Sequence, residues 1–188
     1  MEHILTVAGT AQGTTMLQQL LHEQGLEIAC SVDNGLDARR QMEAQSFDLV
    51  VINAPLPDEH GEAVARLAWQ KQADVILLVK QEHADAVYER IGKTGIYMIP
   101  KPLKKAVFFQ TLQCIRTHNA RLAAMREEKE RLATQIQDAK LLNRAKLLLM
   151  QVLKLSEPQA HHYIEKQAMD LRISKLDVAK GIINTYEN

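Results

Sequence analysis

The feature that most restricts how this chain can fold is an alternation in its first part between short apolar runs and stretches of helical period. Residues 3–8 read as a strand that Gly9 ends, and residues 14–24 place Met16, Leu17, Leu20 and Leu21 at helical spacing until Gly25. Residues 27–32 form a second strand, and Asn34-Gly35 turns into a helix over residues 36–44. Residues 47–52 are a nearly unbroken apolar strand, the pattern of a strand covered on both faces. A helix over 62–70, a strand over 75–79, a helix over 84–91 and a strand over 95–99 follow, before Pro100-Lys101-Pro102 interrupts the chain. Five short strands, each followed by a helix, predict a parallel sheet with helices on both faces. Right-handed crossovers then give a doubly wound α/β fold of flavodoxin-like order.

Composition narrows the class of protein. Apolar residues at 46% and charged residues at 24% suit a globular chain with a real core. The longest apolar runs are too short to span a bilayer, and Met1-Glu2-His3-Ile4 has no basic n-region of a secretory signal, so a cytoplasmic protein is expected. Cys30 and Cys114 are expected as free thiols. Aromatic residues at 4% argue against stacking platforms for single-stranded nucleic acid. The formal net charge of zero hides an asymmetry. Residues 1–110 hold 10 Lys+Arg against 14 Asp+Glu, whereas residues 111–188 hold 13 against 9. An acidic part joined to a basic part points to two tasks, the basic one being the candidate for a polyanion.

The acidic part carries the strand Asp48-Leu49-Val50-Val51-Ile52-Asn53, then Ala54-Pro55-Leu56-Pro57-Asp58 and Gly61, and the late Lys101-Pro102. With these it resembles a response-regulator receiver domain of flavodoxin-like (CheY-like) fold. Receivers place a phosphorylatable aspartate at the end of the third strand. They also carry an acid pair after the first strand to hold magnesium, a Ser or Thr ending the fourth, and a lysine before the last proline. The chemistry explains the set: phosphoryl transfer to a carboxylate needs a divalent cation and a cationic clamp on the developing charge. Here Asn53 stands at the aspartate position, Ala8-Gly9-Thr10 where the acid pair belongs, and Val79 at the hydroxyl position; Lys101 alone is kept. The resemblance therefore implies a pseudo-receiver, with Asn53, Val79 and Lys101 as its degenerate phosphoacceptor site. Lys101 is expected to pair with Asn53 or nearby carbonyls. Asp58, the nearest carboxylate, lies in the following loop.

From Lys104 to about Val152 there is neither Pro nor Gly. A heptad frame puts Ile115, Leu122, Lys129, Ile136 and Asn143 at a, and His118, Met125, Leu132 and Ala139 at d. Most of these are apolar, which predicts a coiled coil and a homodimer, with Asn143 favouring a two-stranded register. The competing arrangement is a single helix packed on its own receiver. The expected division is a pseudo-receiver over 1–117, a coiled-coil linker over 118–139 and a small three-helix bundle over 140–188.

In that bundle Leu141, Ala145, Leu148, Leu149 and Val152 share one face. Ser156 with Pro158 starts a second helix carrying Ala160, Ile164, Ala168, Met169 and Leu171. Ser174 starts a third, with Leu176, Val178, Ala179, Ile182 and Ile183. The string Ala145-Lys146-Leu147-Leu148-Leu149-Met150, then Leu155-Ser156, Gln159-Ala160, Ile164, Gln167-Ala168-Met169 and Ser174 to Ala179, resembles the ANTAR domain. That family is the RNA-binding module of AmiR- and NasR-type transcription antiterminators. Leu147 replaces a glycine often found there. The resemblance implies a dimer that binds tandem short stem-loops in a leader transcript and prevents a terminator hairpin from forming. The physical need is a basic surface that follows phosphates. Residues 139–188 hold 8 Lys+Arg against 5 Asp+Glu, and Lys140, Arg144, Lys146, Arg172, Lys175 and Lys180 are the expected RNA contacts. Tyr163 is expected as a half-buried bundle residue, and His161-His162 point to different sides of a helix, which excludes them as a metal pair.

The sequence thus reads as a non-enzymatic antitermination regulator without a cofactor. With Asn53 removing the phosphorylation switch, control comes through a regulatory protein partner, a small molecule or abundance. The alternatives are a DNA-binding regulator and a protein-interaction adaptor.

Overall fold

The computed structural model describes residues 3–92 and 94–187; Met1, Glu2, Lys93 and Asn188 lie outside it. The chain divides into two compact units, Met1–His118 and Asn119–Asn188. In the first, β1 (Ile4–Ala8), α1 (Ala11–His22), β2 (Cys30–Val32), α2 (Gly35–Ala44), β3 (Leu49–Asn53), α3 (Glu62–Gln70), β4 (Asp74–Lys80), α4 (Ala84–Ile91) and β5 (Tyr97–Lys101) alternate, and α5 begins at Lys105. The sheet is entirely parallel in the order β2-β1-β3-β4-β5. This is the doubly wound order, and it brings the carboxyl ends of β1, β3, β4 and β5 to one edge, where such folds place their sites.

The sheet has a core on each face. On one, Leu5, Val7, Val50, Ile52, Val75 and Leu77 meet α2, α3 and α4 through Ala38, Val64 and Val87. On the other, Ile4, Leu49, Val51, Ile76 and Leu78 meet α1 and α5 through Leu17, Leu21, Phe108 and Leu112. Strands sandwiched in this way have no solvent face, which is why residues 49–53 read as a continuous apolar run. The turn into α3 needs Gly61, whose φ of 85° lies in the left-handed region and which is packed close to Ile52 and Ala54.

α5 runs unbroken over Lys105–Val152, 48 residues, so residues 141–152 are its last turns rather than a separate helix. Ile115, expected at a coiled-coil seam, is instead fully buried in the sheet core beside Leu112. The reason is the repeat itself: Phe108, Leu112 and Ile115 form an i, i+4, i+7 stripe that the sheet takes first. Further along, Leu122, Met125, Leu132 and Ile136 are 38%, 64%, 47% and 56% exposed, so among the described residues nothing covers this stripe.

In the second unit α6 (Glu157–Leu171) and α7 (Lys175–Glu187) fold against the end of α5. Ala145, Leu149, Ala160, Ile164, Ala168, Val178, Ala179 and Ile182 make its core. Ser156 and Gln159 form a capping box that starts α6, with Gln159 Oε1 accepting from the Ser156 N–H at 2.8 Å. Ser174 Oγ accepts from the Asp177 N–H at 3.1 Å to start α7. Val152, Met169 and Leu171, placed on the apolar faces by the sequence reading, are exposed. For Met169 the helix geometry explains this. The seam steps from Ala160 through Ile164 to Ala168, and Met169, one residue on, points about 100° away from Ala168. Leu171 shares the angular position of the seam but is the last residue of α6.

Candidate functional site

The carboxyl edge of the sheet gathers the residues that the sequence singled out. Ala8 lies opposite Asn53 in the β1–β3 register, and Lys80 lies opposite Lys101 between β4 and β5. Thr10, just after β1, caps α1, its Oγ1 accepting from the Gly13 N–H at 3.1 Å. The first turn of α1 backs directly onto Asn53: a Cβ on Gly13 would lie 2.5 Å from Asn53 Nδ2. Among the described residues Asn53 Oδ1 is buried with no hydrogen-bond partner. Lys101 Nζ donates to the Ala54 carbonyl at 2.5 Å. Burial, with the charge of Lys80 adding to it, holds the Lys101 ammonium below the usual lysine range. Val79 is buried at the end of β4 and offers no hydroxyl.

Asp58 has a different task from the one its position suggests. Its carboxylate accepts from the Gly35 N–H at 2.9 Å and the Leu36 N–H at 3.0 Å, closing the N-terminus of α2. These backbone bonds, that of Gly35 foremost, hold its carboxyl below the usual aspartate range. Asp58 therefore faces α2 rather than Lys101. The residues at the ends of β1 and β3 do not fit magnesium. Ala8, Gly9 and Thr10 bring no carboxylate, Asn53 is an amide, and a hard divalent cation requires several oxygens with charge among them.

The basic residues of the helical unit sort into two groups. Arg144 on α5 donates to both carboxylate oxygens of Glu187 at the end of α7, Nε to Oε1 at 2.6 Å. Lys146 on α5 pairs with Glu157 on α6 at 2.9 Å, and Lys175 on α7 pairs with Glu165 on α6 at 2.6 Å. Three of the expected RNA contacts are thus clasps between helices. Lys180 lies 3.9 Å from Asp177 on its own helix, a weak exposed pair. Lys140 and Arg172 are exposed and, among the described residues, make no ion pair. Arg172 sits in the left-handed conformation at the end of α6, φ 55°, which turns the chain toward α7. His161 reaches Glu165 at 3.3 Å, and Tyr163 is 38% exposed.

The clasps give the unit a pH dependence. The Lys146 hydrogen bond lowers the Glu157 pKa, and the Lys175 hydrogen bond lowers that of Glu165. A carboxyl group with a depressed folded pKa adds stability above its unfolded value of about 4.3, and that contribution is lost as pH falls through the folded value. The melting temperature of the helical unit is therefore expected to fall between about pH 5 and pH 3. Glu157→Gln with Glu165→Gln should flatten that slope in calorimetry; an unchanged slope would show the clasps to be inert.

Sequence reasoning missed the acidic partners and the cap formed by Asp58. Glu187 is 43 residues from Arg144, and Asp58 is 23 from Gly35, so no local spacing announces either pair. The only local signs were Glu157 in the first turn of α6 and Asn34-Gly35 before α2.

A doubly wound sheet unit with a lysine at its carboxyl edge is joined by a long helix to a small helical unit. Residues 4–113 match the family model of the response regulator receiver domain, and residues 130–183 match that of the ANTAR domain. The chain belongs to the response regulators, as one that carries an ANTAR domain. Among its relatives, the transcriptional regulatory protein PdtaR of Mycobacterium tuberculosis is 25% identical over 170 residues, 90% of this chain and 83% of the relative. The aliphatic amidase regulator of Pseudomonas aeruginosa is 26% identical over 144 residues, 74% of each chain. Among solved structures, a two-component response regulator from Clostridium difficile superposes with a TM-score of 0.54 at 17% identity, covering 62% of this chain and 97% of its own. The receiver domain of the sensor histidine kinase PA1611 from Pseudomonas aeruginosa, solved with magnesium coordinated in its active site cleft, gives 0.50 at 23% identity, covering 60% and 94%. These structural likenesses speak for the receiver fold. Among the described residues no helix is long and apolar enough to cross a membrane.

Proposed function

We propose that this chain is an RNA-binding transcription antitermination regulator whose receiver-like unit does not accept a phosphoryl group. The observation that carries the reading is the pairing of Asn53 at the phosphoacceptor position with an ANTAR match over residues 130–183 whose surface is basic. Of the expected contacts, Lys140 and Arg172 are available for phosphates without breaking an ion pair, and Lys180 needs only to leave a weak one. Arg144, Lys146 and Lys175 hold the helices in place and reach RNA only while shared with their carboxylates. The target is a pair of short stem-loops in a leader transcript. A homodimer presents two such units, and the exposed stripe of Leu122, Met125, Leu132 and Ile136 supplies the surface along which two copies of α5 pair. Without a phosphorylation switch, a regulatory protein partner or a small molecule sets the activity.

The experiment for the receiver half is incubation with acetyl phosphate and magnesium, followed by intact mass. The expected result is no adduct, and none for Asn53→Asp either, because Ala8 and Gly9 still bring no carboxylate to the metal. A stoichiometric gain of about 80 Da, one phosphoryl group, in the native chain would overturn this half. Retention of a two-hairpin RNA on filters tests the other half, and retention of duplex DNA in its place would favour a DNA-binding regulator.

A further inference from the structure

Beside the degenerate site, the receiver-like unit has a second concavity. It lies between the β3–α3 connection and the start of α4, with a volume of ≈ 270 Å³. Its floor is apolar, made by Ala54, Val79 and Val87, all nearly fully buried. Its rim carries His60, Lys80, His83 and Arg90. The only carboxylate in the lining is Glu62, and both of its oxygens are taken by the Arg90 guanidinium at 2.7 and 2.8 Å. Glu82, outside the lining, stands 3.5 Å from both Lys80 and His83, an exposed and weak pairing that a better acceptor displaces. The Ala54 carbonyl, another acceptor nearby, is taken by Lys101.

The cleft is therefore rich in donors, and its carboxylate is already engaged. Lys80 brings three N–H groups and each imidazole at least one. A ligand that satisfies such a rim must accept hydrogen bonds and carry negative charge, while the floor asks for a short hydrocarbon body. A volume of ≈ 270 Å³ is that of about nine waters in the liquid, room for a ligand of a few carbons and its carboxylate.

We propose that this cleft is a binding site for a small aliphatic monocarboxylate, its carboxylate held by Lys80 and His83 and its chain laid on Val79, Ala54 and Val87. The site deepens the reading that this unit is switched by something other than a phosphoryl group. Bound there, the ligand joins the β4–α4 turn to the β3–α3 connection. Val79 takes part because a hydroxyl in its place would put a polar group into the floor.

The test titrates the full-length chain, ¹⁵N-labelled, with linear and branched monocarboxylates of three to six carbons, each paired with its methyl ester and set against inorganic phosphate. At least one carboxylate is expected to give saturable shifts in residues 79–87 at concentrations up to about 10 mM, a weak-ligand range, with no saturation by its ester or by phosphate. Lys80→Gln is expected to weaken binding about tenfold, the size of one charge-assisted contact. Ala86→Trp, at an exposed lining position, is expected to block the cleft while leaving the circular dichroism of the chain unchanged. No saturable carboxylate, equal binding of ester or phosphate, or binding that survives Ala86→Trp would each overturn the site. The phosphodonor experiment is independent of all three, so failure of the carboxylate site and failure of the unphosphorylated reading are told apart.

Discussion

Leu149→Ala is expected to unfold the helical unit while the sheet unit stays folded. Leu149 is fully buried in a core of only eight buried side chains, three of them on α6 and three on α7. Deleting such a leucine costs about 2–5 kcal/mol through lost burial and the cavity left behind. A unit this small has a stability of the same size, since small domains bury proportionally less surface. Calorimetry of the variant should lose the transition of the helical unit and keep that of the sheet unit. The loss of both would mean that the two units fold as one cooperative body. Met169→Ala is the contrast: Met169 is 78% exposed, so its truncation should leave both transitions in place.

The second large effect concerns RNA. Lys140→Glu with Arg172→Glu is expected to weaken retention of hairpin RNA about 100-fold, since two charge-assisted contacts together are worth about 3 kcal/mol and each 1.4 kcal/mol is a factor of ten. The slope of log affinity against log salt should shrink by about 1.4, at about 0.7 for each phosphate contact given up. Neither residue holds the bundle together, so melting should be unchanged. That distinguishes the pair from Arg144, whose reversal to glutamate also breaks the clasp to Glu187 and brings two carboxylates together. Combining Arg144→Glu with Glu187→Arg restores the clasp with its polarity reversed and separates a folding effect from a binding effect. If the Lys140 and Arg172 pair changes nothing, the RNA surface lies elsewhere.

Much of the fold was legible because the sheet is covered on both faces. Residues 49–53 and 75–79 are apolar at every position except Asn53, the pattern of a strand covered on both faces, and Ser156 and Ser174 mark helix starts that local chemistry dictates. What the sequence misplaced lay where one pattern served two environments. The apolar repeat of α5 runs from Leu112 past Ile136, broken at His118 and Lys129, yet its first part is claimed by the sheet and its later part is bare. His118 is the one mark in the repeat near the change at Ile115. Met169 reads as core by type, while the spacing of Ala160, Ile164 and Ala168 already pointed the seam elsewhere. At the carboxyl edge of the sheet, the amide at Asn53 and the missing hydroxyl at Val79 were plain from the sequence. The role of Asp58 as the cap of α2 was not, because it depends on a contact across 23 residues. The same holds for the basic residues: type and charge selected them, but only the positions of Glu157, Glu165 and Glu187 divide clasps from side chains with no carboxylate partner.

The most direct test of the account is single-round transcription in vitro across a leader that carries two short stem-loops, the second overlapping a terminator. Adding the purified chain without any phosphodonor is expected to raise readthrough, with Asn53 unmodified throughout and with the effect abolished by Lys140→Glu and Arg172→Glu. Readthrough that stays at the level without protein, or that rises only when a phosphodonor is supplied, would contradict it.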